Sequence, residues 1–211
     1  MADSDRYFVA LGAAFARGRL PELADLADDA AFDEGNARGL RMHKFKRSTE
    51  LPRVRRVLST LAGLAPSTLL DVGSGRGVFL WPLLDAFPAL AVTAIDVDPQ
   101  RASDLGAVHR GGIDRLSAAE MDATRLHFEA DQFDGVTMLE VLEHMPDPAR
   151  AAKEAMRVAK RFVLATVPSK EDDNPEHIHL FDRDSFGQLF EGARSVKVDF
   201  VLNHIVALAL L

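Results

Sequence analysis

The chain has 211 residues, a length that fits one domain with at most a small appendage, and a formal net charge of -7 that argues against general nucleic-acid binding. It has no cysteine, which excludes disulfides, thiolate metal sites and a cysteine nucleophile. The first residues are polar and lack a signal-peptide pattern, and no apolar run approaches the ~20 residues that a membrane-spanning helix needs. We therefore expect a soluble, cytoplasmic protein with no membrane span.

The first fifty residues differ in pattern from the rest of the chain. Two helices are predicted, from Asp5 to Arg17 and from Pro21 to Ala30, and a loop punctuated by glycines follows them. We predict that residues 1–50 form a helical lid, or an arm through which two copies pair as a homodimer. Both alternatives stay open from the sequence.

A basic stretch runs from residue 38 to residue 56, with Glu50 as its one acid. Apolar residues recur at helical spacing from residue 51 to residue 61, so the arginines at positions 53, 55 and 56 are expected to face water. The alternative interpretation gives the stretch a binding role. In that case a carboxylate or phosphate of a substrate would be bound by Arg41, His43, Lys44 and Arg47.

The most informative segment is an apolar run, residues 67–72, that passes through Asp71 into glycines at alternate positions, Gly73, Gly75 and Gly77. The run is typical of a buried parallel strand. Glycine has no Cβ, so it adopts positive φ and lets a ligand approach the main chain closely. The segment therefore predicts a strand that ends in a ligand-binding turn.

The spacing of these glycines separates two kinds of cofactor loop. A dinucleotide fingerprint, G-x-G-x-x-G, needs a glycine at position 78, where Val78 stands. With the acid at Asp71, the segment instead resembles the first motif of class I S-adenosylmethionine-dependent methyltransferases, and residues 76–87 are the predicted crossover helix. The resemblance implies that the loop packs on the methionine end of the cofactor and that the acid supports the loop and the cofactor's amino group. The residues so implied are Asp71, Gly73, Ser74, Gly75 and Gly77.

Two further segments extend the resemblance. A second apolar strand ends in Asp96, about twenty residues past the glycines, where an acid can accept hydrogen bonds from both ribose hydroxyls. The segment around Met121 and Asp122 resembles the part of the third strand that holds the adenine, with Asp122 on its amino group and Met121 against its face. The same cofactor pocket is expected to include Val97, Ala123 and Leu139.

Seven strands are predicted, the last two as an antiparallel pair, near residues 68–72, 91–95, 117–121, 133–138, 161–167, 195–201 and 204–211. Helical segments alternate with them. This rhythm matches the doubly wound α/β architecture of the class I family, a seven-stranded, mostly parallel Rossmann-like sheet with an antiparallel C-terminal hairpin. The resemblance covers residues 51–211, which we predict to be the S-adenosylmethionine-binding domain.

A polar cluster, Glu140, Glu143 and His144, follows the fourth predicted strand, and open α/β sheets bind ligands at the carboxyl ends of their strands. If residues 139–145 form a helical turn, these three side chains share one face and could hold one metal ion or one proton network. The E-V-L-E-H string resembles two branches of the family. One contains small-molecule O-methyltransferases of the ubiquinone pathway, and the other contains 3′-terminal ribose 2′-O-methyltransferases of small RNAs.

The RNA branch implies a divalent metal, Mg or Mn, held by two glutamates and two histidines. Glu140, Glu143 and His144 match three of these ligands, and His179 fits the fourth better than His177. The tryptophan that follows the His-x-Phe string in that branch is missing, since Asp182 stands in its place, and this puts RNA in doubt as the substrate. The alternative without a metal makes His144 the catalytic general base, because an imidazole titrates near neutral pH.

The sequence therefore predicts an S-adenosylmethionine-dependent methyltransferase that acts on a small molecule, at oxygen, with nitrogen and carbon open as other acceptor atoms. Three alternatives remain. They are a metal-dependent RNA-end methyltransferase, a nicotinamide-dependent oxidoreductase, which Val78 disfavours, and a protein that binds S-adenosylmethionine without catalysis. Nucleic acid is not an expected partner.

Overall fold

The computed structural model describes residues 7–47, 51–171 and 173–211, and in this part of the chain seven α-helices and seven β-strands are found. The helices are α1 (Val9–Arg19), α2 (Asp28–Ala37), α3 (Pro52–Leu64), α4 (Leu80–Ala86), α5 (Pro99–Arg110), α6 (Pro148–Val158) and α7 (Arg183–Gln188). The strands are β1 (Thr68–Val72), β2 (Ala91–Asp96), β3 (Leu116–Glu120), β4 (Phe133–Leu139), β5 (Ala159–Pro168), β6 (Ser195–Val201) and β7 (His204–Leu210). Short 3-10 helices lie at Pro21–Leu23, Met42–Phe45 and Leu142–His144.

The strands form one sheet in the order β3-β2-β1-β4-β5-β7-β6. Strands β1, β4 and β5 pair in parallel, and so do β2 and β3, whereas β7 is antiparallel to both β5 and β6. Every predicted strand agrees with an observed strand to within two residues at either end. The predicted fold class, a seven-stranded, mostly parallel Rossmann-like sheet with an antiparallel C-terminal hairpin, is confirmed.

The described chain divides into two compact units. The first comprises residues 1–50 and 74–120, so the N-terminal helices group with β2, α5 and β3. In this unit α1 packs against α2 and α5, and the rings of Phe15, Phe45 and Trp81 form a buried row with centroid distances of 5.6 and 4.8 Å. The roles of residues 1–50 as a lid or as a dimer arm stay predictions.

The second unit comprises residues 51–73 and 121–211. Helix α6 begins with Pro148 at its first position and with Asp147 as its N-cap, which accepts a hydrogen bond from the Arg150 amide at 2.9 Å. The helix turns a face of small residues toward β4 and β5. Within the described residues, none of the helices has the length and the apolar character that crossing a lipid bilayer requires.

The predicted helix from Pro21 to Ala30 is wrong. Only Pro21–Leu23 is helical there, as a 3-10 turn, and Ala27 is extended before α2 begins at Asp28. The break is held by Arg17, whose guanidinium donates to the Leu26 carbonyl and to the Asp28 carboxylate, each at 2.7 Å. The first predicted helix begins at Val9, and its predicted start at Asp5 lies outside the described residues.

Gly135 in β4 leaves the space that a ring of the neighbouring strand occupies. A Cβ added there would lie 2.1 Å from Cζ of Phe162 in β5, which is its register partner and is fully buried. We expect Gly135→Ala to lower the free energy of unfolding by ~1–3 kcal/mol, because the phenyl ring must move within a packed core. Urea denaturation followed by circular dichroism measures the change.

The matched control is Gly63→Ala in α3, where no described atom lies within 4 Å of an added Cβ. Alanine is the better helix former, so this variant is expected to be unchanged or more stable by up to ~1 kcal/mol. Equal midpoints for the two variants would contradict the close packing of Gly135 on Phe162.

Candidate functional site

The turn after β1 depends on glycines in the left-handed region. Gly73, Gly75 and Gly77 have φ values of +68°, +57° and +84°. A Cβ at Gly77 would also lie 2.0 Å from Cε2 of the Trp81 indole, so glycine is required there on two counts. Because of these conformations the helix predicted from Arg76 begins only at Leu80.

Asp71, in β1, is a buried carboxylate, with 2% of its surface exposed. Its Oδ1 accepts a hydrogen bond from the Thr137 hydroxyl at 2.7 Å, and the two residues are register partners in β1 and β4. This hydrogen bond links the carboxyl-terminal part of β1 to the neighbouring strand β4. Asp71 therefore lies where a group that supports the loop is expected, and its contact with a cofactor stays a prediction.

Asp96, the last residue of β2, binds the backbone of the glycine turn through its carboxylate. Its Oδ2 accepts from the Gly75 amide at 2.8 Å and its Oδ1 accepts from the Asp98 amide at 3.0 Å, while the Ser74 amide donates to the Ile95 carbonyl. The side chain is 4% exposed. Each carboxylate oxygen has two lone pairs, so both oxygens keep capacity for a further donor such as a ribose hydroxyl.

The residues predicted to surround the adenine are only partly engaged in the protein. Val97 is an exposed apolar side chain, with 71% of its surface accessible. The Asp122 carboxylate accepts from the amide and the hydroxyl of Thr124 at 2.8 and 2.9 Å, and the Met121 sulfur accepts from the His127 amide. Ala123 is buried, and Leu139 is half-buried at the end of β4. Their cofactor contacts stay predictions.

The predicted helical turn after β4 does not form as expected. Glu140 adopts the left-handed region with φ +56°, and only Leu142–His144 is helical, as a 3-10 turn. The Glu140 amide donates to the Thr166 carbonyl and its Oε1 accepts from the Thr166 hydroxyl at 2.8 Å. Glu140 is thereby directed toward β5, and it does not share a helical face with Glu143 and His144.

Glu140 contacts a histidine that the sequence analysis did not identify. His204 is the first residue of β7, and its Nε2 lies 3.1 Å from Oε2 of Glu140, while Nε of Arg53 lies 3.5 Å from the same oxygen. Burial lowers the pKa of His204; the Glu140 carboxylate acts in the opposite direction, and Arg53 adds to the lowering. No motif marks His204, since it opens an apolar strand far from Glu140 in the chain.

A separate cluster contains Glu143, His144 and His177, whose candidate ligand atoms all lie within 4.8 Å of one another. Glu143 is buried, with 1% of its surface exposed, and the two imidazole rings are 4.7 Å apart. Neither Glu140 nor His179 belongs to this group in the part of the chain that the structure describes. The four-residue metal set that the resemblance implied is therefore not assembled.

Hydrogen bonds to carbonyls define which nitrogens of two histidines carry protons. Nδ1 of His144 lies 2.9 Å from the Glu176 carbonyl, and Nε2 of His179 lies 2.9 Å from the Met145 carbonyl. A carbonyl only accepts, so these nitrogens are the donors in the neutral rings. Nε2 of His144 lies 4.0 Å from the Glu143 carboxylate, whereas Nε2 of His179 is already bonded to the Met145 carbonyl.

Acids neutralise much of the basic stretch. Lys44 is 8% exposed, with Nζ 2.8 Å from Asp104 and 3.7 Å from the ring centroid of Phe15, and Arg47 binds both oxygens of Asp85. The expectation that Arg53 faces water is wrong, because its side chain is only 18% exposed. Binding of a substrate anion by this stretch stays a prediction.

Comparisons with known proteins identify similar methyltransferases. Residues 70–162 match a family model described as a methyltransferase domain. A ubiquinone biosynthesis O-methyltransferase of Pseudomonas paraeruginosa is 39% identical over 103 residues, which are 47% of this chain and 42% of that protein. A ubiquinone/menaquinone biosynthesis C-methyltransferase of Brucella abortus is 35% identical over 111 residues, which are 47% of this chain and 40% of that protein. The matches span less than half the length of these curated relatives.

The fold is also shared with solved structures. A SAM-dependent methyltransferase from Aquifex aeolicus superimposes with a TM-score of 0.60 at 22% identity, and the superposition covers 74% of this chain and 88% of that one. At this identity the likeness concerns the architecture alone.

Asp104 of α5 binds two cations of the N-terminal segment, Lys44 at 2.8 Å and Arg19. We expect Asp104→Asn to lower the free energy of unfolding at pH 7 by ~1–3 kcal/mol, because it leaves the buried ammonium of Lys44 without its carboxylate. Burial raises the pKa of Asp104, but hydrogen bonds from Lys44 and Arg19 outweigh it, so the pKa lies below its ordinary value. A lowered native pKa stabilises the fold above the unfolded-state pKa, so the difference from the wild type should shrink as the pH falls below ~4.

The control is Asp85→Asn, which breaks the Arg47 pair at a site where the two side chains are 37% and 45% exposed. An exposed pair contributes ~0–1 kcal/mol, so this variant should be nearly as stable as the wild type. Denaturation curves at pH 7 and pH 3 test both variants. If Asp104→Asn lost the same free energy of unfolding at pH 7 and at pH 3, the charge of Asp104 would not be the cause of the loss.

Proposed function

We propose that this chain, whose residues 70–162 match a methyltransferase domain, is a class I S-adenosylmethionine-dependent methyltransferase that transfers the methyl group to an oxygen atom of a small-molecule acceptor. The observation that carries the proposal is the glycine turn tied to Asp96. Three left-handed glycines leave bare backbone, and the Asp96 carboxylate orients the Gly75 amide while it keeps lone pairs for a ligand.

Open α/β sheets bind ligands at the carboxyl ends of their strands, and in the unit of residues 1–50 and 74–120 the proposed contacts begin at Asp96, the last residue of β2. Exposed Val97 offers an apolar face for the adenine, and the Asp122 carboxylate offers an acceptor for its amino group. The full set of proposed cofactor-binding residues is Asp71, Gly73, Ser74, Gly75, Gly77, Asp96, Val97, Met121, Asp122, Ala123 and Leu139.

Oxygen as the acceptor atom is supported by the side chains around the end of β4. Carboxylates and neutral imidazoles, at Glu140, Glu143, His144 and His204, are groups that accept a proton from a hydroxyl. One named relative is an O-methyltransferase and another is a C-methyltransferase, so relatives alone do not choose the atom. The formal charge of -7 favours a small molecule over RNA.

Methyl transfer asks little covalent chemistry of the protein. The sulfonium carbon is already electrophilic, so the site must hold the acceptor atom in line with the sulfur–methyl bond at ~3–3.5 Å. The remaining task is to remove the acceptor's proton. The groups proposed for that step are the carboxylates and imidazoles of Glu140, Glu143, His144 and His204.

A metal-assisted variant of this function is the second candidate, and one observation favours it. The ligand atoms of Glu143, His144 and His177 are close enough to share an ion, and Nε2 of His144 lies 4.0 Å from the Glu143 carboxylate. One carboxylate with two imidazoles suits Mn²⁺ better than Mg²⁺, which prefers oxygen ligands. A bound metal would supply Lewis acidity, which lowers the pKa of a coordinated hydroxyl.

The metal candidate is tested by titration of Mn²⁺ into EDTA-treated protein, followed by calorimetry. We expect Glu143→Gln to weaken binding by ~tenfold or more, because the only carboxylate of the cluster is lost. Glu140→Gln is the matched control and should leave the affinity unchanged, since Glu140 lies outside the cluster. Wild-type protein that binds no Mn²⁺ would remove this candidate.

Cofactor binding is tested at Asp96. We expect Asp96→Ala to weaken S-adenosylhomocysteine binding by at least ~tenfold, equivalent to 1.4 kcal/mol, because a ribose acceptor and the anchor of the Gly75 amide are both removed. Isothermal titration calorimetry measures the affinity, and a circular dichroism melt checks that the variant is folded. Asp114→Ala, at an exposed acid, is the control.

Turnover separates catalysis from binding alone. Radiolabelled S-adenosylmethionine is incubated with the protein and with libraries of small hydroxyl compounds or RNA 3′ ends. Wild-type affinity in Asp96→Ala would refute the ribose assignment. Tight cofactor binding without transfer to any acceptor would point to a non-catalytic binding protein.

A further inference from the structure

Glu140 adopts a backbone conformation that its residue type disfavours. Its φ of +56° lies in the left-handed region, which glutamate seldom enters, and it directly follows β4. Such residues cluster at functional sites, where surrounding contacts hold them in place. Here the contacts come from Thr166, whose carbonyl accepts from the Glu140 amide at 2.9 Å and whose hydroxyl donates to Oε1 at 2.8 Å.

The second oxygen of Glu140 is directed at an imidazole. Oε2 lies 3.1 Å from Nε2 of His204 and 3.5 Å from Nε of Arg53. The side chains of Glu140, His204 and Arg53 are 21%, 24% and 18% exposed, so the network is largely shielded from water but still reaches the surface. Four elements contribute to it: α3, the residue after β4, β5 and β7.

This network lies beside the first glycine of the turn after β1. β1 and β4 pair in parallel, and the residue after Glu140, Val141, packs so closely on Gly73 that a Cβ there would lie 2.5 Å from its Cγ2. β7 runs antiparallel to β5, so His204 pairs with Pro168 at the carboxyl end of β5. Glu140 and His204 thus lie at the carboxyl ends of β4 and β5, the edge of the sheet at which open α/β sheets bind ligands.

The geometry defines the protonation of His204. The Glu140 carboxylate only accepts, so Nε2 of the neutral ring carries the proton and Nδ1 keeps its lone pair. Within the described residues Nδ1 has no hydrogen-bond partner. Burial lowers the pKa of His204, with the Glu140 charge opposing and the Arg53 charge adding to the lowering, so the ring is neutral at pH 7. A carboxylate behind an imidazole holds the tautomer and stabilises the imidazolium once it forms.

We propose that Nδ1 of His204, with its ring positioned by Glu140, accepts the proton of a phenolic hydroxyl on the methyl acceptor. This inference rests on the proposed transfer to oxygen. In the step, the acceptor oxygen forms a bond to the methyl carbon, the carbon–sulfur bond breaks, and sulfur keeps the electron pair as S-adenosylhomocysteine. The acceptor's proton goes to Nδ1 of His204, and solvent later receives it.

A phenol is the hydroxyl class that this pair suits. A phenolic hydroxyl has an ordinary pKa of ~10, a few units above that of an imidazole, so a histidine backed by a carboxylate can remove its proton during transfer. An aliphatic alcohol is a far weaker acid, so the same imidazole would have to remove its proton against a much larger difference in pKa.

The test compares two probe acceptors that differ in the acidity of their hydroxyls, catechol and 4-nitrocatechol. The nitro compound is substantially ionised near neutral pH and needs little help from a base. In His204→Gln the amide can still donate to Glu140, but it offers no basic nitrogen. We expect this variant to lose ~100-fold or more in kcat with catechol and less than ~tenfold with 4-nitrocatechol. Its affinity for S-adenosylhomocysteine should match that of the wild type.

Glu140→Gln should show the same selective loss to a smaller degree, because the ring keeps its nitrogen but loses the charge that orients it. His109→Asn, at an exposed histidine in the last turn of α5, is the matched control and should behave as the wild type. His144→Asn is measured beside them, since His144 is the rival base.

The outcomes separate this inference from the function it rests on. Wild type that does not bind S-adenosylhomocysteine contradicts the proposed function itself. Wild type that binds the cofactor but methylates neither catechol overturns the phenolic acceptor. Equal losses with both catechols, no loss in His204→Gln, or a catechol-selective loss in His144→Asn instead, each overturn His204 as the proton acceptor.

Discussion

The candidate site depends on the hydrogen bonds that the Asp96 carboxylate accepts. One side chain, nearly buried at the end of β2, accepts the Gly75 amide from the turn and the Asp98 amide from the start of α5. A turn with three left-handed glycines has high conformational entropy when unfolded, so it needs such an anchor to adopt one shape. The same carboxylate is the proposed acceptor for the ribose hydroxyls, so one group would serve both the shape of the turn and the binding of the ligand.

A second constraint acts after β4. The left-handed conformation of Glu140 directs its side chain toward Thr166 and His204, away from the helical turn that the E-x-x-E-H spacing suggested. The polar residues of this motif are therefore divided between two networks. Glu143 and His144 meet His177, while Glu140 meets a histidine of β7 and Arg53 of α3. A short motif can thus serve two different chemistries at one edge of a sheet.

The strands were predictable because buried strands carry a local signal. β1 and β4 are short segments rich in apolar residues, and β7 is apolar through Ile205 to Leu210, so each shows in the sequence without reference to its neighbours. The second helix was not predictable, since its start depends on Arg17 of α1 holding Leu26 and Asp28. The prediction that Arg53 faces water was wrong for a similar reason. Helical spacing identifies the apolar face of α3, but it does not show that Glu140, distant in the chain, lies against Arg53.

By itself the sequence determined the order of the strands along the chain, the glycine turn and the acids on either side of it. These features depend on backbone conformation and hydrophobic patterning, which neighbouring residues encode. Only the tertiary structure decided which distant side chains meet. The partnership of Glu140 with His204 joins residues 64 positions apart through the antiparallel return of β7. Such a contact is set by sheet register and by one strained φ, and neither leaves a mark in the local sequence.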